Sequence, residues 1–113
     1  MARVIVAGGR NFVGTNAHCL WLIEQLRELG ATEIISGGCS GADKFGERAA
    51  KYLSIICKIM PADWTKNGKA AGPMRNEEMA KIADACILFP GGSGTHDMHR
   101  RAVEHGLRVI VYG

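Results

Sequence analysis

The stretch "ACILFPGGSGTHDM", residues 85–98, decides how the chain is read. Its first five residues are apolar, which suits a short strand buried on both faces. A proline and three glycines follow, and then a helical pattern from Gly94 to His105, with Met98, Ala102 and Val103 at helical spacing, stopped by Gly106. Strand, glycine turn and helix in that order form half of a parallel crossover unit. The bare backbone at the turn has two explanations: tight turning, or close approach of something to the chain.

Working outward, four more apolar runs read as strands: residues 3–7, 33–36, 55–60 and 108–112. They are rich in Val and Ile and barely alternate. Helical patterns lie between them. Residues 16–29 place Cys19, Leu22, Ile23, Leu26 and Leu29 on one face, with Gly30 as the stop. Ala42–Leu53 repeats Ala42, Phe45, Ala49 and Leu53, and residues 73–83 start on Pro73, suited to a first helical position, and continue through Met79 and Ile82. The order βαβαβαβαβ predicts an α/β three-layer sandwich around a five-stranded parallel sheet of order 3-2-1-4-5, its switch point between strands 1 and 4.

Composition agrees with one domain. The chain has 113 residues, enough to bury a core without disulfides, and 47 % of them are apolar, which speaks against disorder. The net charge of +3 is too weak to argue for nucleic acid. The apolar run in MARVIVAGG is too short for a signal sequence or membrane span. Four cysteines, Cys19, Cys39, Cys57 and Cys86, are unevenly spaced with no C-x-x-C pair, as in reduced thiols of a cytoplasmic protein. No metal or cofactor is expected.

Three glycine clusters each follow a strand: "AGGRNF" with Gly8, Gly9 and Arg10, "SGGCSGAD" with Gly37, Gly38, Gly41 and Asp43, and "FPGGSGTHDM" with Gly91, Gly92, Ser93, Gly94 and Thr95. In a parallel sheet all three lie on the carboxyl edge, where open α/β folds bind ligands. Helix N-termini there favour phosphate, and glycine lets it approach the N–H groups. The spacing is neither G-x-G-x-x-G nor a P-loop. Arg10 either reaches into this crevice or forms a surface salt bridge. Ser40 to Asp43 reads as a capping-box variant, or Asp43 contacts a ribose hydroxyl.

Residues 61–72, "PADWTKNGKAAG", make a long connection. Trp64 either stacks on a base or packs the loop down, and Lys66 and Lys69 either meet phosphate or stay solvated. Arg75 falls in the first turn of the next helix, where a cation is unfavourable, and a broken local rule marks a candidate functional position. His96 and His99 stand at i, i+3 and read as solvated rather than metal-binding.

These motifs together resemble the DUF2493 (YspA-like) group of the SLOG superfamily over nearly the whole chain. "RNEEMAKIADACILFPGGSGT" also resembles the R-K-x-x-M and P-G-G-x-G-T signature of LOG, or lysine decarboxylase-like, phosphoribohydrolases. The resemblance implies a Rossmann-like fold that binds a nucleotide or nucleotide-derived molecule, possibilities including an ADP-ribose-like signal, and association as a homodimer or larger. It matches Arg75 to the enzymes' arginine and Gly91, Gly92, Gly94 and Thr95 to their phosphate loop. Their catalytic glutamate position is Met98 here, and a thioether cannot do proton chemistry. Asp97 is the nearest carboxylate, either a favourable charge near a helix N-terminus or, if the chain is an N-glycosidase, the catalytic partner of Arg75. Single-stranded nucleic-acid binding, as in the related domain of the DNA-processing protein DprA, is the third reading and is disfavoured by the low charge.

Overall fold

The computed structural model describes residues 2–113. Five parallel strands, β1 (Ala2–Ala7), β2 (Ala31–Ser36), β3 (Ile56–Ile59), β4 (Ala85–Leu88) and β5 (Arg108–Val111), form one sheet in the order β3-β2-β1-β4-β5. The expected order and the switch point between β1 and β4 are therefore observed. Val4 pairs with Ile34 on one side and Ala85 on the other, so β1 is fully enclosed.

Alternation along the strands divides the core into two layers. Val4, Val6, Ile34, Ile87 and Phe89 face α1 (Asn16–Glu28) and α2 (Ala42–Leu53), meeting Leu22, Leu26, Phe45 and Ala49. Ile5, Ala7, Ile35, Cys86 and Leu88 face α4 (Ala71–Ile82) and α5 (Ser93–Glu104), meeting Met79, Ala80, Met98 and Ala102. Among the described residues no helix is long and apolar enough to cross a membrane. All four cysteines are free.

Four local expectations are corrected. Residues 61–72 are not an open loop: Asp63 caps α3 (Trp64–Asn67), accepting from the Lys66 N–H at 3.0 Å, and a 3-10 turn (Gly68–Ala70) leads straight into α4. Because Ala70 and Ala71 are good helix formers, α4 begins two residues before Pro73, which is tolerated there because the first four N–H groups have no intrahelical partner. Arg75 is consequently the fifth residue of α4, beyond the first turn. The helix after β4 starts at Ser93 rather than Gly94.

The capping box expected at Ser40–Asp43 is absent. Gly41 is the N-cap of α2 without a side-chain cap; the Ser40 hydroxyl donates to the Arg10 carbonyl at 3.1 Å instead. The capping box lies at α1, where Thr15 Oγ1 accepts from the His18 N–H at 3.3 Å and His18 Nδ1 accepts from the Thr15 N–H at 2.9 Å. His18 also joins an aromatic cluster of Phe12, Trp21, Phe45, Phe89 and Tyr112, with ring centroids 4.6 Å apart for His18 and Tyr112 and 4.7 Å for Phe12 and Phe89. Phe89 of that cluster lies against the first glycine loop, where a Cβ at Gly8 would come within 3.0 Å of it.

Candidate functional site

The three glycine loops meet at the carboxyl edge and lock together through their backbones. The Gly9 N–H donates to the Pro90 carbonyl at 2.9 Å, and the Ala42 N–H donates to the Gly9 carbonyl at 3.1 Å. Some of the glycines exist for this contact. Gly41 adopts φ +75°, and a side chain there would strike the Gly9 and Arg10 carbonyls. A side chain at Gly91 would strike Thr95 and sit 2.6 Å from the Gly9 nitrogen. Gly92 and Gly94 differ: a Cβ at either would meet nothing within 4 Å. The bare backbone thus answers both explanations, with Gly41 and Gly91 tightening the turn and Gly92 and Gly94 left open.

The loops wall a cleft of about 520 Å³, within the range of small-molecule sites. It gathers most of the residues singled out in the sequence. Gly8, Gly9 and Arg10 line it from the β1 loop, and Gly37 and Asp43 from the β2 loop. Trp64, Lys69 and Arg75 come from the β3–α4 segment, and Gly92, Ser93, Gly94, Thr95 and Asp97 from α5. Gly38, Gly41 and Gly91 are outside the lining. Lys66 is exposed and does not line the cleft.

At the phosphate-favouring end, no side chain caps α5, and its first regular backbone bond runs from the His96 N–H to the Gly92 carbonyl at 3.1 Å. The N–H groups of the first turn before it have no intrahelical acceptor, and the helix dipole places positive potential there. Arg75 reaches from α4 toward the β2 loop. Its Nη1 donates to the Gly37 carbonyl at 2.8 Å and its Nε to Asn76 Oδ1 at 3.0 Å. A Cβ at Gly37 would displace the Arg75 guanidinium and lie 2.9 Å from Asp43 Oδ2.

At the mouth, the Arg10 guanidinium lies 5.8 Å from the centre of the Trp64 ring. Trp64 is 47 % exposed, yet its ring edge also rests on Gly72, where a Cβ would come within 3.2 Å. Packing against Gly72, the Arg10 contact and substantial exposure therefore coexist in one side chain.

The cleft's two carboxylates differ. Asp97 Oδ2 accepts from Asn76 Nδ2 and Arg101 Nε, both at 2.9 Å, and Oδ1 accepts from Arg100 at 3.1 Å. Burial alone would raise its pKa, but the bonds from Asn76 and Arg101 outweigh that and hold it below the ordinary carboxylate value. Asp43 is pushed up by burial, opposed by the Cys39 N–H and the charge of Arg75. Met98 is 1 % exposed and forms part of the cleft floor and the core. Among the described residues no three His, Cys, Asp or Glu side chains gather to hold a metal; His96 and His99 are exposed on α5.

Sequence reasoning missed Asn76 and passed over Cys39, both of which line the cleft. Asn76 carried a signal: it lies three residues before Met79, a polar residue on the apolar stripe of a helix.

No family model matches the chain. It is 34 % identical over 124 aligned positions to "Gene 61 protein" of Mycobacterium phage D29, spanning 100 % of this chain and 98 % of the phage protein. The chain belongs to the family of that protein. The fold of this Gene 61 family member also superimposes on the X-ray structure of TM1055, a Northeast Structural Genomics Consortium target. The TM-score is 0.74 over 96 % of this chain and 72 % of that one, at 20 % identity. Such a likeness establishes the Rossmann-like α/β architecture.

Proposed function

We propose that the chain is a nucleotide-binding domain of the SLOG superfamily, DUF2493-like, that binds or senses a nucleotide or nucleotide-derived ligand in this cleft. One observation carries the reading: the uncapped N-terminus of α5, with open space at Gly92 and Gly94, faces the same cleft as Arg75 and the Trp64–Arg10 pair. An anionic phosphate suits the first, and a planar base suits the last. The cytoplasm is the proposed location, where the free thiols stay reduced.

N-glycosidic hydrolysis by Arg75 with Asp97 is the weaker reading. Both oxygens of Asp97 are engaged by Asn76, Arg100 and Arg101, and the glutamate position of the resembled enzymes is the buried Met98. A second copy of the chain is the proposed partner, supported by the exposed apolar side chains Val103 of α5 and Val111 of β5, elements that pack together at one edge of the sheet. Light scattering at micromolar concentration should give at least a dimer mass; a monomer removes this part.

The test is a thermal-shift series with AMP, ADP and ADP-ribose. A probe at 100 times its Kd should stabilise the fold by about 2.7 kcal/mol. No shift with any of them, confirmed by calorimetry, sinks the nucleotide reading.

A further inference from the structure

Asp43 is 7 % exposed and stands in the first turn of α2, where its side chain lines the cleft. Its orientation is set from below. The buried Ser36 hydroxyl donates to Glu47 Oε2 at 2.7 Å, accepts from the Gly38 N–H at 3.1 Å, and sits 3.5 Å from the Asp43 carbonyl. One carboxylate oxygen, Oδ2, accepts from the Cys39 N–H at 3.1 Å. Among the described residues no N–H or hydroxyl donates to the other, Oδ1; besides that backbone bond only the Cys39 thiol, a weak donor, hydrogen-bonds the carboxylate. Every fully enclosed side-chain nitrogen or oxygen among them does have a partner. The Asp43 side chain lines the cleft while the residue is otherwise buried, so the oxygen that the Cys39 N–H leaves free is the one available to a bound molecule.

A carboxylate is an acceptor only, so whatever meets Oδ1 must donate. An ionised phosphate has no proton to donate and has its own place at α5. The cleft is thus bipolar: one end suits an anion, and the wall at Asp43 suits hydroxyl or amine donors. Arg75 beside Asp43 keeps the pair close to neutral, so a polar uncharged group can lie across it.

We propose that Asp43 is a specificity residue that accepts a hydrogen bond from a sugar hydroxyl, so that the site takes ribosyl rather than deoxyribosyl phosphates. This deepens the nucleotide reading and rests on it. Donors of two kinds fit an acceptor, a sugar hydroxyl or an exocyclic amine of a base. The hydroxyl is favoured because the planar group has its own platform at Trp64 and Arg10, at the mouth of the cleft.

Calorimetric titration of the full chain with AMP, its 2′-deoxy and 3′-deoxy analogues and IMP tests this. AMP should bind about tenfold or more tightly than at least one deoxy analogue, since a buried acceptor left without its donor costs binding. IMP, which lacks the amine, should bind like AMP. Asp43→Asn keeps an acceptor for the Cys39 N–H and the side-chain size, and should narrow the ribose preference to about threefold or less. Equal binding of AMP and both deoxy analogues by the unaltered chain overturns the inference and leaves the nucleotide reading standing. So does a loss with IMP in place of the deoxy analogues, or a preference unchanged in Asp43→Asn. If neither AMP, ADP-ribose nor inorganic phosphate binds, the nucleotide reading fails and this inference fails with it.

Discussion

Asp97 stands on the wall built by α4 and α5, and Asp43 on the wall built by the β2–α2 loop, yet the two face the same cleft under opposite conditions. Three side chains saturate Asp97, each from a helix that packs against or belongs to α5. Asp43 takes only the Cys39 N–H and the weakly donating Cys39 thiol. The α4–α5 wall spends its carboxylate on joining two helices: Asn76 from α4 and Arg101 from α5 both close on it, and Arg101 continues to Glu77 at 3.1 Å, which pairs with His105 at 2.8 Å. The β2 wall spends little on itself. A carboxylate in a cleft is thus no guide to function until its lone pairs have been counted.

The largest expected effect sharpens the comparison by removing the anion end that both walls share. Gly92→Val or Gly94→Val adds a branched side chain in open space, at positions with no positive φ, so the fold should survive. The stabilisation by AMP, about 2.7 kcal/mol at 100 times Kd, should fall to near zero in a thermal-shift assay. A full shift retained in both variants would move the phosphate elsewhere.

Arg75→Ala comes next, because this arginine bridges the walls. Binding of AMP should weaken by about 1.5–3 kcal/mol if Arg75 makes a charge-assisted contact. Its bonds to the Gly37 carbonyl and Asn76 are also lost, so stability should fall by about 1 kcal/mol, measured as a urea midpoint. The first-turn argument from the sequence implied no such loss, and unchanged stability would restore it.

Asp97→Ala should break the α4–α5 wall alone. Removing the acceptor leaves Asn76 Nδ2 with only the Gly94 carbonyl, at 3.3 Å, and Arg101 with only Glu77, at a cost of about 1–3 kcal/mol of stability. AMP affinity should stay within about threefold. Affinity lost with stability retained would reverse the roles assigned to the two carboxylates.

Acid titration separates them by sign. Asp97 has a folded pKa below the ordinary 3.8, so its stabilisation is complete above 3.8 and is lost as pH falls through the lower folded value. Asp43 has a folded pKa above 3.8, so its contribution is present below 3.8 and is lost as pH rises through the folded value. Relative to the unaltered chain, Asp43→Asn should therefore lose ground on acidification from neutral pH to about 4, and Asp97→Asn should gain ground below that. Urea midpoints across this range would show both trends, and parallel curves would dissolve the distinction. The smallest effect is at the mouth: Arg10→Ala should change stability by about 0.5–1 kcal/mol or less, as expected of an exposed cation–π contact.

Much of this arrangement was legible in the chain itself. The non-alternating Val and Ile runs, with a glycine cluster after three of them, determined a parallel sheet and placed those loops on one edge, because parallel strands need crossovers and all carboxyl ends then point one way. Local pattern also located Gly92, Gly94 and Thr95 at a helix start. The start of α4 was misplaced, because Pro73 is compatible with several positions in a first turn and the 3-10 lead before it has no strong pattern of its own. What only tertiary structure decided is which polar group spends its hydrogen bonds on the protein. Gly41 and Gly94 read alike in sequence, yet one packs against the Gly9 carbonyl and the other faces open space. Asp43 and Asp97 likewise read alike, each an acid in an early helical turn. Asp97 takes Arg100 and Arg101 from its own helix, at spacings a sequence can show, but Asn76 from 21 positions away on another helix. Asp43 takes the Cys39 N–H from the loop four residues before it. Whether a carboxylate has its hydrogen bonds filled is therefore settled only when the helices and loops are assembled.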